Sequence, residues 1–219
     1  MMIKLNELKK IGWDSISLKG HIIKPKMMYI TEDIVTHIEG MELDEQFIID
    51  FWIDIYVNNL EEEEEMKIGY IKGSLFTPMD FTRFGIDFYD VADCRGRDFY
   101  DMACAIIGND KNVRPEIASE DDTICYIEDF YINKQYRNYG IGSYVINSID
   151  EILYFYSNLF PNKLIVLPQP RVVNKSKRHQ NVSEKNRNKD LLMEKLIAFY
   201  KKNGFDFVEN TKYMQKKIV

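Results

Sequence analysis

Cysteine is scarce in this 219-residue chain: Cys94, Cys104 and Cys125 are scattered and odd in number. That count argues against a disulfide framework and for free thiols in a reducing cytoplasm. No CxxC pair occurs, and His21, His37 and His179 stand far apart, so no metal site is expected. No apolar run reaches the ~18 residues that a membrane helix needs. The opening stretch MMIKLNELKKIGWD has no apolar secretory region. No long low-complexity or collagen-like stretch is present. Basic residues are missing from one long block: positions 27–66 hold 13 acidic residues and no Lys or Arg. Positions 171–189 reverse this, with seven Lys/Arg and one Glu. The net charge is −6. An acidic chain is a poor general nucleic-acid binder, and its acidic part favours a cationic acceptor.

What is present is ample apolar material, 45% hydrophobic and 13% aromatic, enough for the core of one domain over 1–219. Helices are expected at 6–11 and 30–38, the second with Thr31 as N-cap. Phe47–Val57 alternates as a strand, with Phe47, Ile49, Phe51, Ile53, Ile55 and Val57 inward and Asp50, Trp52, Asp54 and Tyr56 on a wet or cleft-lining face. A turn over 58–65 holds the run Glu61–Glu65, and Met66–Phe76 pairs back as a hairpin. Asp87–Ile107 reads as helical with Gly96 interrupting it. A polar connection over 109–122 leads to a strand at 124–132 and a helix from Ile141. Lys163–Leu167 is a short buried strand stopped by Pro168 and Pro170, followed by a long basic loop at 169–188. Asp190–Asn203 is a helix with Leu192, Leu196 and Phe199 inward, ended by Asn203-Gly204. Strands at 205–208 and 213–219 close the chain. The order implies a mixed α/β layer around one sheet.

The most informative stretch is Thr123–Ile146, TICYIEDFYINKQYRNYGIGSYVI. An aromatic and β-branched strand runs into a basic, glycine-containing turn and then a helix with Ile141, Val145, Ile149, Ile152, Leu153 and Tyr156 at helical spacing. Backbone N–H groups at such a helix start bind anions, and glycine lets a phosphate come close. A P-loop reading fails because no Gly-Lys-Ser/Thr follows, and a dinucleotide fingerprint fails because position 145 is Val.

The segment resembles motif A of the GNAT superfamily of acetyl-CoA-dependent N-acetyltransferases, here Arg137-x-x-Gly140-x-Gly142. Leu196–Phe205, LIAFYKKNGF, is similar to the family's later helix with its Phe199-Tyr200 pair and the following Gly204-Phe205. Tyr213–Lys217 is similar to its final strand. The close resemblance covers 123–168 and 190–219, while the atypical half 1–122 matches only as a pattern of strands and helices.

The resemblance implies a GNAT-like fold in which strands 124–132 and 163–167 splay apart to admit acetyl-CoA, with no metal required. It implies a CoA diphosphate on the backbone of Arg137, Asn138, Tyr139, Gly140, Ile141 and Gly142, and pantetheine paired with the backbone of Phe130, Tyr131 and Ile132. Tyr200 would protonate the departing CoA thiolate. Glu128 and Asp129 stand out in a central strand, where charge is normally excluded. As neighbours they are expected on opposite faces, and either can take a proton from an attacking amine. Such a pair is similar to that of polyamine and aminoglycoside-type members. Some protein-lysine acetyltransferases carry their Glu two residues earlier, where this chain has Tyr126. Cys125 reads as packing.

Acetyl transfer to a primary amine, a small polyamine-like molecule or a lysine side chain, is the leading expectation. The alternative is a non-catalytic CoA-binding or protein-interaction module on the same fold. A nucleic-acid-modifying enzyme has only the basic loop in its favour. Homodimer or monomer is left open.

Overall fold

The computed structural model describes residues 15–23, 48–59, 63–77, 87–106, 108–109, 112–113, 122–173, 179–181 and 189–218. The helices expected at 6–11 and 30–38, and most of the basic loop, lie outside the described residues. A seven-stranded sheet has the order β1-β2-β3-β6-β7-β11-β10. Its strands are β1 (Ser15–Ile23), β2 (Ile48–Asn59), β3 (Glu64–Phe76), β6 (Ile124–Ile132), β7 (Lys163–Val166), β10 (Asp206–Phe207) and β11 (Met214–Lys217). Two small ladders stand apart, β4 (Gly108–Asn109) with β5 (Asn112–Val113), and β8 (Arg171–Val173) with β9 (His179–Asn181). The first begins one residue before the stretch at 109–122 expected to be a plain connection, and the second lies within the basic loop. Among the described residues, a 3-10 turn at Lys134–Tyr136 and four α-helices complete the element order: α1 (Phe88–Arg95), α2 (Arg97–Ile106), α3 (Ile141–Ser157) and α4 (Lys189–Lys202).

Alternation decides the faces of β2. Phe51, Ile53, Ile55 and Val57 are buried, as their period-2 spacing requires. They join Val145, Ile149 and Leu153, spaced four apart on α3, in one cluster that also takes in Tyr200 and Phe205. The other face holds a second cluster, in which Phe88, Phe99, Met102 and Ile106 of α1 and α2 cover Phe76, Ile124, Tyr126 and Ile165. The helical run from Asp87 breaks at Gly96 as its sequence suggested. Asp87 caps α1 by accepting from the Tyr89 N–H at 2.8 Å.

Some expectations fail in detail. The hairpin is longer than its glutamates suggested: β2 runs to Asn59 and β3 starts at Glu64, so Glu64 and Glu65 are strand residues. Asp54 is buried, because Lys67 Nζ at 2.7 Å and the Trp52 Nε1–H at 2.6 Å satisfy its carboxylate. In α4, Leu192, Leu196 and Phe199 are only half-buried and Tyr200 is the buried residue. The last strands shrink to Asp206–Phe207 and Met214–Lys217.

One junction matters most for function. β6 and β7 are the sheet's parallel pair, and they pair only from Ile124↔Lys163 to Ile127↔Val166. β6 continues to Ile132, while β7 gives way to Leu167-Pro168-Gln169-Pro170. Proline cannot donate to a ladder. Among the described residues, no strand pairs with that edge of β6 from Glu128 to Ile132.

Candidate active site

The turn between β6 and α3 brings the chain into a helix start without a side-chain cap. A short 3-10 turn at Lys134–Tyr136 is followed by Asn138 at φ 70° and Gly140 at φ 88°, both left-handed. Gly140 takes that conformation without the Cβ penalty. As N-cap of α3 it supplies no side-chain acceptor, and the first turn carries no acidic residue. The helix therefore presents N–H groups and the positive end of its dipole with no side-chain cap. Arg137 Nε donates to the Ile132 carbonyl at 2.8 Å and its guanidinium lies over the Tyr131 ring at 5.6 Å. Tyr139 is half-buried against the α3-side core, and Ile141 is buried within it. Gly142 has a second constraint, since a Cβ there would stand 3.2 Å from the Phe199 ring and 3.4 Å from Ile132 Cδ1. Its lack of a side chain serves the approach of α4 as well as any approach of phosphate.

Along the open edge of β6, Phe130 and Ile132 turn toward the α3 side, Phe130 with its ring 6.2 Å from that of Phe199. Tyr131 turns the other way, toward Tyr70 at 6.1 Å. Trp52 stacks on Tyr70 at 4.7 Å, so an aromatic row runs across β2, β3 and β6 on the face away from α3. Tyr200 sits in the α3-side core, 4% exposed, its ring edge-on to Phe199 at 5.2 Å and Phe205 at 5.3 Å.

Glu128 and Asp129 do not take opposite faces. The β3–β6 register pairs Lys72 with Asp129 and then Gly73 with Ile127, leaving Glu128 as the extra residue of a bulge. A bulge re-aims a side chain, and it does so here. Glu128 reaches Ser74 Oγ at 3.2 Å and Lys72 Nζ at 3.4 Å. Asp129, buried, accepts from the Tyr70 hydroxyl at 2.8 Å. Tyr70, Lys72 and Ser74 alternate along β3, so both carboxylates work one face of the sheet. They lie across the sheet from the core that contains Tyr200. The open edge of β6 is where the two faces communicate.

A cavity of about 660 Å³ opens on that face, lined by Lys72, Cys94, Arg95, Gly96, Arg97, Asp98, Phe99, Tyr126 and Glu128. Its wall is the α1–α2 turn. Arg95 Nη2 binds Asp50 Oδ1 at 2.5 Å and Ser74 Oγ at 3.2 Å, and Ser74 donates to Asp50 at 2.8 Å. Ser74 is fully buried. A polar chain thus runs from Arg95 through Asp50 and Ser74 to Glu128. Asp50 and Asp54, the strand carboxylates expected to attract a cation, are both engaged in ion pairs.

Sequence reasoning missed Lys72, Ser74, Arg95 and Arg97 as site residues. Gly73 was the available signal, because a glycine inside a strand marks a bulge or close approach. A Cβ on Gly73 would fall 2.0 Å from the Tyr126 carbonyl oxygen. Burial raises the Cys125 thiol well above its ordinary range, as fits a packing residue. Among the described residues, no group of three or more His, Cys, Asp or Glu is placed to hold a metal ion. Nor, among them, is any helix long and apolar enough to cross a membrane.

No model of a protein family matches the chain, and no curated protein matches it. Among solved structures, a KacTA–DNA complex is similar at 12% identity and TM-score 0.39, covering 93% of each chain. Arabidopsis thaliana Naa50, in complex with the bisubstrate analogue CoA-Ac-MVNAL, is similar at 15% identity and TM-score 0.37, over 93% of this chain and 99% of that one. Arabidopsis thaliana NAA60 with a bisubstrate analogue gives 13% identity and TM-score 0.36, over 93% and 100%. On its own geometry the chain has a mixed α/β fold, whose parallel pair ends at Val166 beside a helix that starts at Gly140.

Proposed function

We propose that this protein transfers an acetyl group from acetyl-CoA to a primary amine by direct attack in a ternary complex. The observation that carries the reading is the open edge of β6 at 128–132, set between the uncapped start of α3 and a cavity that contains Glu128. The substrate's diphosphate suits the N–H groups of residues 137–142. Its pantetheine amides suit the edge of β6 at Phe130, Tyr131 and Ile132 that faces away from β3. The acetyl group would then lie near Glu128, where strand N–H groups can stabilise the developing oxyanion.

In this reading Glu128 takes the proton of the attacking amine, directly or through one water. The N–C bond forms, the C–S bond breaks, and the Tyr200 hydroxyl protonates the leaving thiolate. Asp129 holds the amine side of the site with Tyr70. Positioning supplies most of the acceleration. The Arg95–Asp50–Ser74 chain makes the α1–α2 turn part of the active site, because it fixes the carboxylate that receives the proton.

The net charge of −6 favours a cationic acceptor at long range, a polyamine-like molecule or a lysine side chain. The pairing of Asp50 with Arg95 and of Asp54 with Lys67 withdraws the local part of that argument.

Titrating amines with acetyl-CoA and following free thiol tests the reading. Amine-dependent thiol release is expected, together with a rise in melting temperature on acetyl-CoA binding. Binding without thiol release for any amine would instead support the non-catalytic module.

A further inference from the structure

We propose that the amine accepted at Glu128 carries an anionic group of its own, a carboxylate or a phosphate, received by Arg97 and Lys72. This inference rests on the acetyl-transfer reading and sets the local charges of the cavity against the long-range preference for a polyamine-like acceptor. The cavity beside Glu128 is lined by three cationic side chains, Lys72, Arg95 and Arg97, against two anionic ones, Asp98 and Glu128. Two of the cations are answered: Arg95 by Asp50 at 2.5 Å, and Lys72 by Glu128 at 3.4 Å. Arg97 is exposed and meets no carboxylate at ion-pair distance among the described residues.

A polyamine docking its reactive nitrogen at Glu128 would carry its remaining ammonium groups past the exposed Arg97 guanidinium. Like charges set side by side select against such a partner. A small amine with an anionic group answers both ends. Its nitrogen meets Glu128, and its carboxylate or phosphate meets the guanidinium fork of Arg97, which suits two-point binding of either group. The cavity volume of about 660 Å³ falls in the small-molecule range.

The test uses the full chain, acetyl-CoA and thiol release with matched amines: glycine against glycinamide, phosphoethanolamine against ethanolamine, and spermidine. The anionic member of at least one pair is expected to show kcat/KM ~10-fold or more above its neutral partner and above spermidine. The pair with the larger ratio identifies the group. Arg97→Glu, at an exposed position, is expected to collapse that ratio to near one. Spermidine or the neutral amines performing as well as the anionic ones would overturn the inference while acetyl transfer stands. So would a ratio unchanged in Arg97→Glu. Thiol release with no amine at all would overturn both.

Discussion

At the scale of single residues, the roles of Glu128, Ser74 and Tyr200 separate by experiment. Glu128→Gln keeps the shape of the side chain and removes the base, so kcat should fall about 10²–10⁴-fold. Ser74→Ala leaves the base but removes the hydroxyl that bridges it to Asp50 and Arg95. A smaller loss in kcat, ~10-fold, is expected, with acetyl-CoA still raising the melting temperature. Wild-type kcat in Ser74→Ala would reduce this serine to a space-filler. Tyr200→Phe should lower kcat roughly 10- to 1000-fold with little change in CoA affinity. The ring contacts with Phe199 and Phe205 survive in that variant, so its loss reports the hydroxyl alone.

At the scale of elements, two glycines fix how strands and helices meet. Gly142→Val would drive side-chain carbons into the Phe199 ring, and α4 would have to shift. Stability should fall by about 1–3 kcal/mol, read by denaturant unfolding. Combined with Phe199→Ala the two losses should be less than additive, as coupled neighbours are. Additive losses would mean that α4 does not rest on α3 here. Gly73→Ala meets backbone rather than a yielding side chain, so a loss of about 2 kcal/mol or more is expected with the β3–β6 register disturbed. These two positions also show what was legible in the sequence. The strand at β2, the broken helix at Gly96 and the β6–α3 turn follow from periods of two and 3.6 residues, which are local. The bulge at Glu128 is one extra residue in a long-range pairing, so alternation alone put Glu128 and Asp129 on opposite faces. Arg95 and Asp50 lie 45 positions apart, and nothing local announces their bond. Tyr200 is buried because Phe205 and α3 surround it, where a leucine stripe in its own helix pointed elsewhere.

At the scale of the whole molecule, two buried groups on opposite faces of one sheet predict how the protein behaves in alkali. Burial raises both the Cys125 thiol and the Tyr213 hydroxyl, the latter with help from Asp101 and Asp98. A group whose pKa is raised by folding contributes stability that is complete below its unfolded value and lost as pH climbs through its folded one. With ordinary values of 9.0 for Cys125 and 10.0 for Tyr213, stability should begin to fall near pH 9 and fall faster above pH 10. Urea midpoints across that range should show it, and Tyr213→Phe should flatten the upper part of the decline. The arrangement of β3 and β6 has a further consequence, in time rather than in energy. They are neighbours in the sheet, yet residues 77–123, with both helices of the cavity wall, intervene between them. Their ladder can close only after that long excursion has been gathered in, and distant pairings of this kind slow folding. Because Glu128 takes its direction from this ladder, activity on refolding is expected to return no sooner than the β3–β6 pairing forms, which the regain of turnover timed against the regain of secondary structure checks.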